Sequence, residues 1–251
     1  MAKQPNLFGT GLRLAGTIPR MALKNTSSAP ITATPKFIPL GGVAAGEPVT
    51  LPALALAPQQ TAEVDLSPLM GAAKRSGDLD TVSVQVTNSG APGSLIGALY
   101  SSDKTTGVNY DVPLRDSGPV RSMTGVYPWK ISNDYTTIVY VTNISDGPAE
   151  FVAQIHYDGG KYVIGVRKLA AGETAVFDMK QVIDEQKLDY GKRLLPKNLQ
   201  LGQFKWLIHG VTGGKIILTG RAEMVSRSQS ISTSYSCAAG QTHYKFRNHS
   251  V

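Results

Sequence analysis

The sequence predicts an all-β protein made of two tandem antiparallel β-sandwich domains with short crossover helices. Three observations carry this prediction: a composition that suits strands and turns, an internal repeat, and short runs in which apolar residues alternate with other residues. The 251 residues include 26 Gly and 15 Pro, and only 17% of them are charged. Such a composition favours short strands joined by tight turns over long solvent-facing helices.

Four blocks of sequence recur in the same order along the chain. The clearest is an Asn-x-Ser-x-x-Pro turn, which begins at Asn25 and again at Asn143. The four pairs of blocks are residues 25–33 and 143–151, 56–66 and 169–179, 74–75 and 192–193, and 95–98 and 218–221. The period of about 115 residues is close to the roughly 100 residues of one sandwich domain. The repeat therefore predicts two domains of one type.

Two runs show the alternation of a half-buried strand. Val82, Val84 and Val86 alternate with polar residues, and a second run at 138–141 precedes the Asn143 turn. Because side chains of a strand point alternately to its two faces, these runs predict strands that cover a core.

Two hairpins are predicted from Gly-rich turns. Residues 151–157 and 161–166 flank Asp-Gly-Gly, and residues 206–208 and 216–218 flank Thr-Gly-Gly. Glycine supplies the positive φ angles that a tight hairpin turn needs. Each pair of segments is therefore predicted to form an antiparallel pair.

Two other segments are predicted to contain short crossover helices, Ser67–Lys74 and Met179–Lys192. Each follows a Thr-Ala-x-x-Asp strand, so Asp65 and Asp178 are interpreted as caps of the helices. The domain prediction is an N-terminal extension at 1–20, sandwich domains at 21–118 and 119–237, and a tail at 238–251.

The run from Val139 to Ala149, with a weaker echo at Thr87–Gly90, resembles the strand-turn-strand signature of bacterial immunoglobulin-like surface domains. A later Leu-x-Pro/Ala-Gly-x-Thr-Ala block introduces the next strand in the same manner. The resemblance covers most of residues 20–110 and 127–235. It implies an immunoglobulin-like sandwich outside the cytoplasm, either extracellular or at the cell surface. That family shares no catalytic residues that could be carried over.

Charge and cysteine content exclude several functions. The net charge is +7, with a pI near 9.4, but no basic run with interleaved aromatic residues is present, so no nucleic-acid partner is predicted. Cys237 is the sole cysteine, so no internal disulfide and no four-cysteine zinc site can form. No stretch of eighteen apolar residues predicts a transmembrane segment, and residues 1–21 lack the apolar core of a signal peptide.

No catalytic motif is present, so no enzyme activity, cofactor or metal site is predicted. His243 and His249 have a ligand-like spacing only in a polar tail. The residues considered for ligand binding are Tyr127, Trp129 and Tyr135, because aromatic rings stack on sugars. The alternative is that Trp129 or Trp206 fills a sandwich core.

The functional prediction is a non-catalytic, extracytoplasmic structural, adhesion or docking module that binds a protein, a cell surface or a polysaccharide. Two alternatives stay open. One is a carbohydrate-binding module with aligned exposed aromatic rings. The other is a self-assembling filament or capsid subunit, so a homo-oligomer is left open as well.

Overall fold

The computed structural model describes residues 6–13, 18–41, 47–69, 80–102, 109–116, 124–209, 218–226 and 231–235. These residues form antiparallel sheets and one short helix. The name first half is used for the described residues from 6 to 116, and second half for those from 124 to 235. The all-β prediction is confirmed for this part of the chain. Within the same ranges, no helix has the length and hydrophobicity that crossing a membrane requires.

The first half contains two sheets. Its strands are β1 (Asn6–Arg13), β2 (Ile18–Asn25), β3 (Ile31–Gly41), β4 (Val49–Thr50), β5 (Leu54–Leu56), β6 (Thr61–Asp65), β7 (Asp80–Asn88), β8 (Leu95–Ser102), β9 (Asn109–Pro113) and β10 (Arg115–Asp116). Sheet A has the order β10-β1-β7-β3-β4, with β5 also paired to β3, and sheet B has the order β6-β2-β8-β9.

The second half also contains two sheets and holds the helix. Its elements are β11 (Thr124–Lys130), β12 (Tyr135–Asn143), β13 (Ala149–Tyr157), β14 (Gly160–Leu169), β15 (Thr174–Asp178), α1 (Met179–Asp184), β16 (Leu201–Ile208), β17 (Leu218–Ser226) and β18 (Ile231–Tyr235). Sheet C has the order β11-β16-β13-β14, and sheet D has the order β15-β12-β17-β18.

Strand order repeats between the halves. The order β6-β2-β8-β9 in sheet B matches β15-β12-β17-β18 in sheet D, and β1-β7-β3 in sheet A matches β11-β16-β13 in sheet C. Three of the four pairs of recurring blocks fall on matching strands; for example, Asn25 ends β2 and Asn143 ends β12. In the fourth pair, residues 74–75 lie outside the described residues. The repeated sequence thus occupies equivalent places in the two halves.

Each half has its own buried apolar cluster. The first includes Leu23, Phe37 and Val84, and the second includes Phe151 and Phe204. The alternation predicted for β7 is confirmed, because Val82, Val84 and Val86 all lie in the first cluster. Apolar side chains from two sheets cover one another in each cluster, which removes them from water.

Strand β12 is buried on both faces. Val139 and Val141 join the second core cluster, whereas Ile138 and Tyr140 form a separate small cluster with Val225. The face that carries Tyr140 also carries Thr142, whose hydroxyl lies 3.4 Å from that of Thr10 in β1. The outer face of sheet D therefore packs against the outer face of sheet A, and the two halves share a buried contact.

One predicted hairpin is confirmed and the other is wrong. Strands β13 and β14 pair from Ala149 to Leu169 around Gly159, whose φ is +84°. Residues 206–208 belong to β16, which pairs with β11 and β13 in sheet C, whereas Leu218 begins β17, which pairs with β12 and β18 in sheet D. The Thr-Gly-Gly turn and residues 216–217 of this prediction lie outside the described residues. A Gly-rich segment permits a tight turn but does not decide whether the chain returns to the same sheet or crosses to the opposite one.

The described helix is shorter than the segment predicted for it. Helix α1 ends at Asp184, and Asp178 caps it by accepting hydrogen bonds from the N–H groups of Lys180 and Gln181. Asp65 accepts a similar bond of 2.8 Å from Ser67 N–H, which starts a turn, and residues 70–74 of the other predicted helix lie outside the described residues. The capping role is thus confirmed for Asp178.

The chain ends can be compared with the domain prediction only in part. Residues 6–13, assigned above to an N-terminal extension, form β1, which pairs with β7 along its whole length. Leu7 belongs to the first core cluster, so this strand is an integral part of sheet A. The C-terminal tail, with His243 and His249, and Cys237 lie outside the described residues.

Candidate functional site

Two of the three aromatic residues considered for ligand binding are buried. Tyr127 and Trp129 are each 2% exposed and belong to the second core cluster, whereas Tyr135 is half-buried at the start of β12. The two buried rings pack against backbone without a side chain. A Cβ at Gly202 would lie 2.8 Å from Cζ2 of Trp129, and one at Gly220 would lie 2.8 Å from Cζ of Tyr127. Neither ring offers a face to a sugar in this structure.

The repeated asparagines, Asn25 and Asn143, each join several backbone segments through side-chain hydrogen bonds. The Nδ2 group of Asn25 donates to the carbonyl oxygens of Ala29, Leu56 and Ala57 at 2.8, 3.1 and 3.0 Å. Its Oδ1 accepts from Ser27 N–H at 2.9 Å. One side chain therefore ties three segments of the first half together.

Asn143 makes the matching set of bonds in the second half. Its Nδ2 donates to the carbonyl oxygens of Gly147, Leu169 and Ala170 at 2.8, 3.1 and 3.0 Å, and its Oδ1 accepts from Ser145 N–H at 3.0 Å. Both asparagines are fully buried. The interpretation of the Asn-x-Ser-x-x-Pro block as a structural turn is confirmed.

A group of apolar side chains lies where β14 and β15 form neighbouring edges of the second half. Each strand stands at the end of its sheet, β14 in sheet C and β15 in sheet D. An open groove of about 400 Å³ runs between them. Its lining includes apolar side chains from both strands, from α1 and from the segment after it; these are Tyr162, Ile164, Ala175, Val176, Phe177, Val182 and Leu188. This groove is named the edge groove.

The segment after α1, which includes Lys187 and Leu188, forms one rim of the edge groove and is held by several hydrogen bonds. The carboxylate of Asp189 accepts bonds from Arg193 N–H at 2.7 Å and from the Arg193 guanidinium at 3.0 Å. Tyr190 N–H donates to the carbonyl of Val163 in β14, and the Tyr162 hydroxyl donates to the carbonyl of Lys187 at 2.9 Å. The rim therefore attaches to β14 through backbone and side-chain bonds.

The pKa values of two groups in this region, Asp189 and Tyr162, are shifted by their surroundings. The backbone bond from Arg193, together with its side-chain bond, holds the pKa of Asp189 below its ordinary value despite partial desolvation. Burial, followed by the neighbouring Asp189 carboxylate, raises the pKa of the Tyr162 hydroxyl. At neutral pH Asp189 is thus an anion that holds the rim in place, and Tyr162 keeps its proton as a hydrogen-bond donor.

Two of the apolar side chains that line the edge groove are exposed, Leu188 by 62% and Val176 by 37%. Tyr190, two residues beyond Leu188, is 91% exposed but does not line the groove. Single exposed apolar residues are common on protein surfaces, whereas neighbouring ones at one groove favour a binding surface. Sequence reasoning missed this site. The available signal was the pair Leu188 and Tyr190 in an otherwise charged segment.

The lining of the edge groove contains two cations, Arg167 and Lys187, and two carboxylates, Asp178 and Glu185, whereas the neighbouring strand β14 is cationic. Strand β14 carries Lys161, Arg167 and Lys168 and no acidic residue. Lys187 adds a further cation and pairs with Glu185 at 2.7 Å. Hydrogen bonds from Lys187 and from Gln181 lower the pKa of Glu185. A ligand of the edge groove therefore meets apolar side chains and charges of both signs, while the strand β14 beside it carries only positive charge.

The described residues offer little for catalysis or for metal binding. No group of three or more His, Cys, Asp or Glu in the described ranges is arranged to hold a metal ion. His156 lies on sheet C, where burial and then the neighbouring Lys205 and Lys161 lower its pKa. Its ring contacts Gln154 at 3.1 Å, and no nucleophile is paired with it among the described hydrogen bonds.

The fold and the groove together describe antiparallel sheets with a groove between the β14 and β15 edges. No protein-family model, no curated protein and no solved structure matches the chain. The functional conclusion therefore depends on the geometry and chemistry of the chain itself.

Proposed function

We propose that this chain is a non-catalytic docking module of two tandem immunoglobulin-like sandwich domains that works outside the cytoplasm, and that its edge groove binds an extended segment of a partner protein. The segment alternates apolar and acidic residues. The single observation that carries the proposal is the groove between the β14 and β15 edges, whose lining is largely apolar and includes the exposed Leu188 and Val176, beside a strand, β14, that carries three cations and no carboxylate.

The tandem arrangement is supported by the matching strand orders and by the matching bonds of Asn25 and Asn143. Two separate core clusters fit two domains that each bury their own apolar residues. A location outside the cytoplasm fits the resemblance of the Asn143 turn to bacterial surface domains. The docking role does not depend on that location.

An extended partner segment suits the geometry of a sheet edge. A strand at the end of a sheet has backbone groups on one side that a further strand can pair with, and alternate side chains of the added strand then enter pockets. Apolar side chains of the segment would lie against Phe177 and Val182. Its acidic side chains would face Arg167 and Lys187.

The charge of β14 selects among partners. Lys161, Arg167 and Lys168 repel a second copy of the same strand, because like charges placed opposite one another destabilise strand pairing. The same cations attract an acidic segment and increase its rate of association. The edge groove is thus suited to a foreign acidic strand and protected against pairing with another β14.

The experiment is a calorimetric titration of the whole chain with two synthetic ten-residue peptides. One alternates valine with glutamate and the other alternates valine with lysine. We expect saturable binding of the acidic peptide only. Leu188→Asp should weaken it about tenfold, in line with the loss of a central apolar contact. Arg167→Glu should also weaken the acidic peptide while improving the basic one.

The matched control is Ile96→Asp, which places the same charge at a 52% exposed apolar residue of β8 in the first half. This variant should bind like the parent chain. Equal binding of both peptides, or an equal loss in Ile96→Asp, would overturn the proposal. So would saturable binding of a neutral polysaccharide that Leu188→Asp abolishes, or sedimentation that shows self-association through the edge groove.

A further inference from the structure

The segment after α1 continues past the edge groove as a loop at residues 187–197, which is named the basic loop. It contains four cations and one carboxylate, that of Asp189, so its net charge is +3. The cations are Lys187, Lys192, Arg193 and Lys197, and all four are exposed. The side chain of Asp189, by contrast, is fully buried. The surface of residues 187–197 therefore presents positive charge and no negative charge.

A tight turn forms the middle of the basic loop. Asp189 N–H donates to the carbonyl of Arg193 at 2.8 Å, and Lys192 N–H donates to the carbonyl of Asp189 at 2.9 Å. Lys192 has a φ of +58°, a left-handed conformation that helps to reverse the chain. Tyr190 lies between the paired residues, so the turn displays its side chain to solvent.

Three apolar or aromatic side chains of the basic loop are exposed. Tyr190 is 91% exposed, Leu188 62% and Leu194 51%. The two leucines directly precede and follow the paired residues Asp189 and Arg193, so they stand on the two arms of the turn that carries Tyr190. Three such side chains on one turn favour an interaction surface, whereas single scattered ones do not.

The basic loop is anchored to the body of the second half. Leu195 is 2% exposed and belongs to the second core cluster. The side-chain amide of Gln186 donates to the carbonyl of Leu195 at 3.1 Å, and the hydroxyl of Tyr162 donates to the carbonyl of Lys187 at 2.9 Å. A loop that is already ordered loses little freedom when it binds, which favours affinity.

The combination of cations and exposed apolar side chains selects the kind of partner. A soluble polyanion would pair with the cations but would leave the leucines and Tyr190 in water. A membrane surface with anionic lipids accepts both kinds of group. Leucine enters the boundary of the acyl chains, tyrosine lies at the level of the headgroups, and lysine and arginine stay among the lipid phosphates.

We propose that the basic loop binds the surface of a membrane that contains anionic lipids. Tyr190, Leu188 and Leu194 insert at the level of the headgroups, while Lys192 and Lys197 contact lipid phosphates. Of these residues only Leu188 also lines the edge groove. The membrane contact is therefore separable from the binding of a partner segment in the edge groove.

The test is co-sedimentation of the whole chain with lipid vesicles. One set of vesicles contains phosphatidylcholine alone, and the other contains equal parts of phosphatidylcholine and phosphatidylglycerol. We expect saturable binding to the anionic vesicles and at least about tenfold weaker binding to the neutral ones. Added salt should weaken the binding to anionic vesicles, because it screens exposed charges.

Variants of the basic loop separate its apolar and cationic contributions. Tyr190→Ser and Leu194→Ser should each weaken binding to anionic vesicles about tenfold, since each removes apolar area that the membrane buries. Lys192→Gln should weaken it about fivefold, because it removes one cation near the anionic surface. The matched controls are Ile96→Ser and Lys24→Gln, at exposed residues of β8 and β2 in the first half, and both should bind like the parent chain.

Absence of binding to anionic vesicles, equal binding to both kinds of vesicle, or an equal loss in either control would contradict membrane binding through the basic loop. So would anionic-vesicle binding that Tyr190→Ser and Leu194→Ser leave unchanged, because the cations alone would then account for it. Tyr190→Ser should bind the acidic peptide of the calorimetric titration like the parent chain. A failure of membrane binding is therefore distinguishable from a failure of the edge groove.

Discussion

The two halves share the hydrogen-bonded asparagine turn but differ at one sheet edge. In the second half β14 is a continuous strand of ten residues along β13. In the first half the equivalent positions along β3 are taken by two short strands, β4 and β5, with Pro52 between them. Proline has no N–H to donate to a neighbouring strand. The edge strand is thus interrupted in the first half and continuous in the second.

The outer faces of the equivalent sheets differ as well. On sheet D, Arg221 and Glu223 form a buried pair against the first half. On sheet B the ion pair is Arg20 with Glu63, and both side chains are more than one-third exposed. The two halves therefore share the features that the fold requires, which are the buried core and the asparagine turn. They differ in the outer faces of their sheets.

The largest loss of stability is expected from substitution of Asn143 or Asn25. Asn143→Ala removes three donated bonds and leaves buried carbonyl groups without partners, which should cost about 3–5 kcal/mol of unfolding free energy. Asn25→Ala should cost a similar amount, because Asn25 donates three hydrogen bonds of the same lengths to carbonyl groups at the equivalent positions of the first half. Urea denaturation followed by circular dichroism measures both.

The control is Asn133→Ala, because Asn133 is exposed. It should change the unfolding free energy by less than about 0.5 kcal/mol. A cost at Asn143 that is several times the cost at Asn25 would break the equivalence of the two halves. Equal costs would support it.

The next largest effect is expected at the contact between sheets A and D. Arg221→Met leaves the carboxylate of Glu223 buried without its partner, and removal of one member of such a pair costs about 3 kcal/mol. The double variant Arg221→Met with Glu223→Leu should recover most of this loss. Arg20→Met, at the exposed pair of sheet B, should have little effect on the same denaturation curve.

A loss that the double variant does not recover would show that Arg221 stabilises the chain through its bond to Thr10 and its contact with Tyr140. That outcome would place the stability of the junction in those contacts. The ion pair would then be secondary.

A smaller effect is expected at the bend of β14. Gly165 has φ +122°, at the register shift between β13 and β14. Most other residues are strained at this angle, so Gly165→Ala should cost about 1–2 kcal/mol. Gly147→Ala is the control, because Gly147 is absent from the positive-φ residues and a Cβ there meets nothing within 4 Å. Thermal denaturation should rank the two variants, and equal melting temperatures would contradict the assigned strain.

The smallest effect is the acid response of the rim segment. The folded-state pKa of Asp189 lies below its ordinary value of 3.8, so its contribution to stability is complete above that pH. The contribution disappears as the pH falls through the folded-state pKa, because the protonated carboxyl no longer accepts the bonds from Arg193. Hydrogen exchange at the amides of Arg193 and Tyr190, measured between pH 2 and 6, should show the rim opening at the acid end.

Asp189→Asn should make exchange in the rim fast throughout this range and remove its acid transition. Asp158→Asn, at an exposed turn carboxylate, should keep the parent profile. Persistence of the acid transition in Asp189→Asn would assign it to another group.

Some features of the fold followed from local sequence patterns. The alternation in Val82–Val86, the Gly159 turn and the Asn143 block each depend on residues that are close along the chain. Other features depended on distant residues. Whether β16 and β17 would pair could not be predicted, since both fit a strand equally well and their partners lie in separate sheets.

The candidate site residues show the same limit. For Trp129 the sequence allowed either a ligand-binding or a core position, and the core position is confirmed. Trp129 and Tyr127 pack on Gly202 and Gly220, which are far away in sequence. Leu188 gave a local hint of exposure, but the groove beside it required β14 and β15 to stand at the edges of neighbouring sheets.

The sequence by itself determined the strand content, the duplication and the turn chemistry of this protein, because periodicity and turn residues act over a few neighbouring positions. The tertiary structure alone decided which strands share a sheet, which rings are buried and where the edge groove lies. These features arise from pairings between residues that are far apart in the chain, and each pairing depends on how all the sheets pack together.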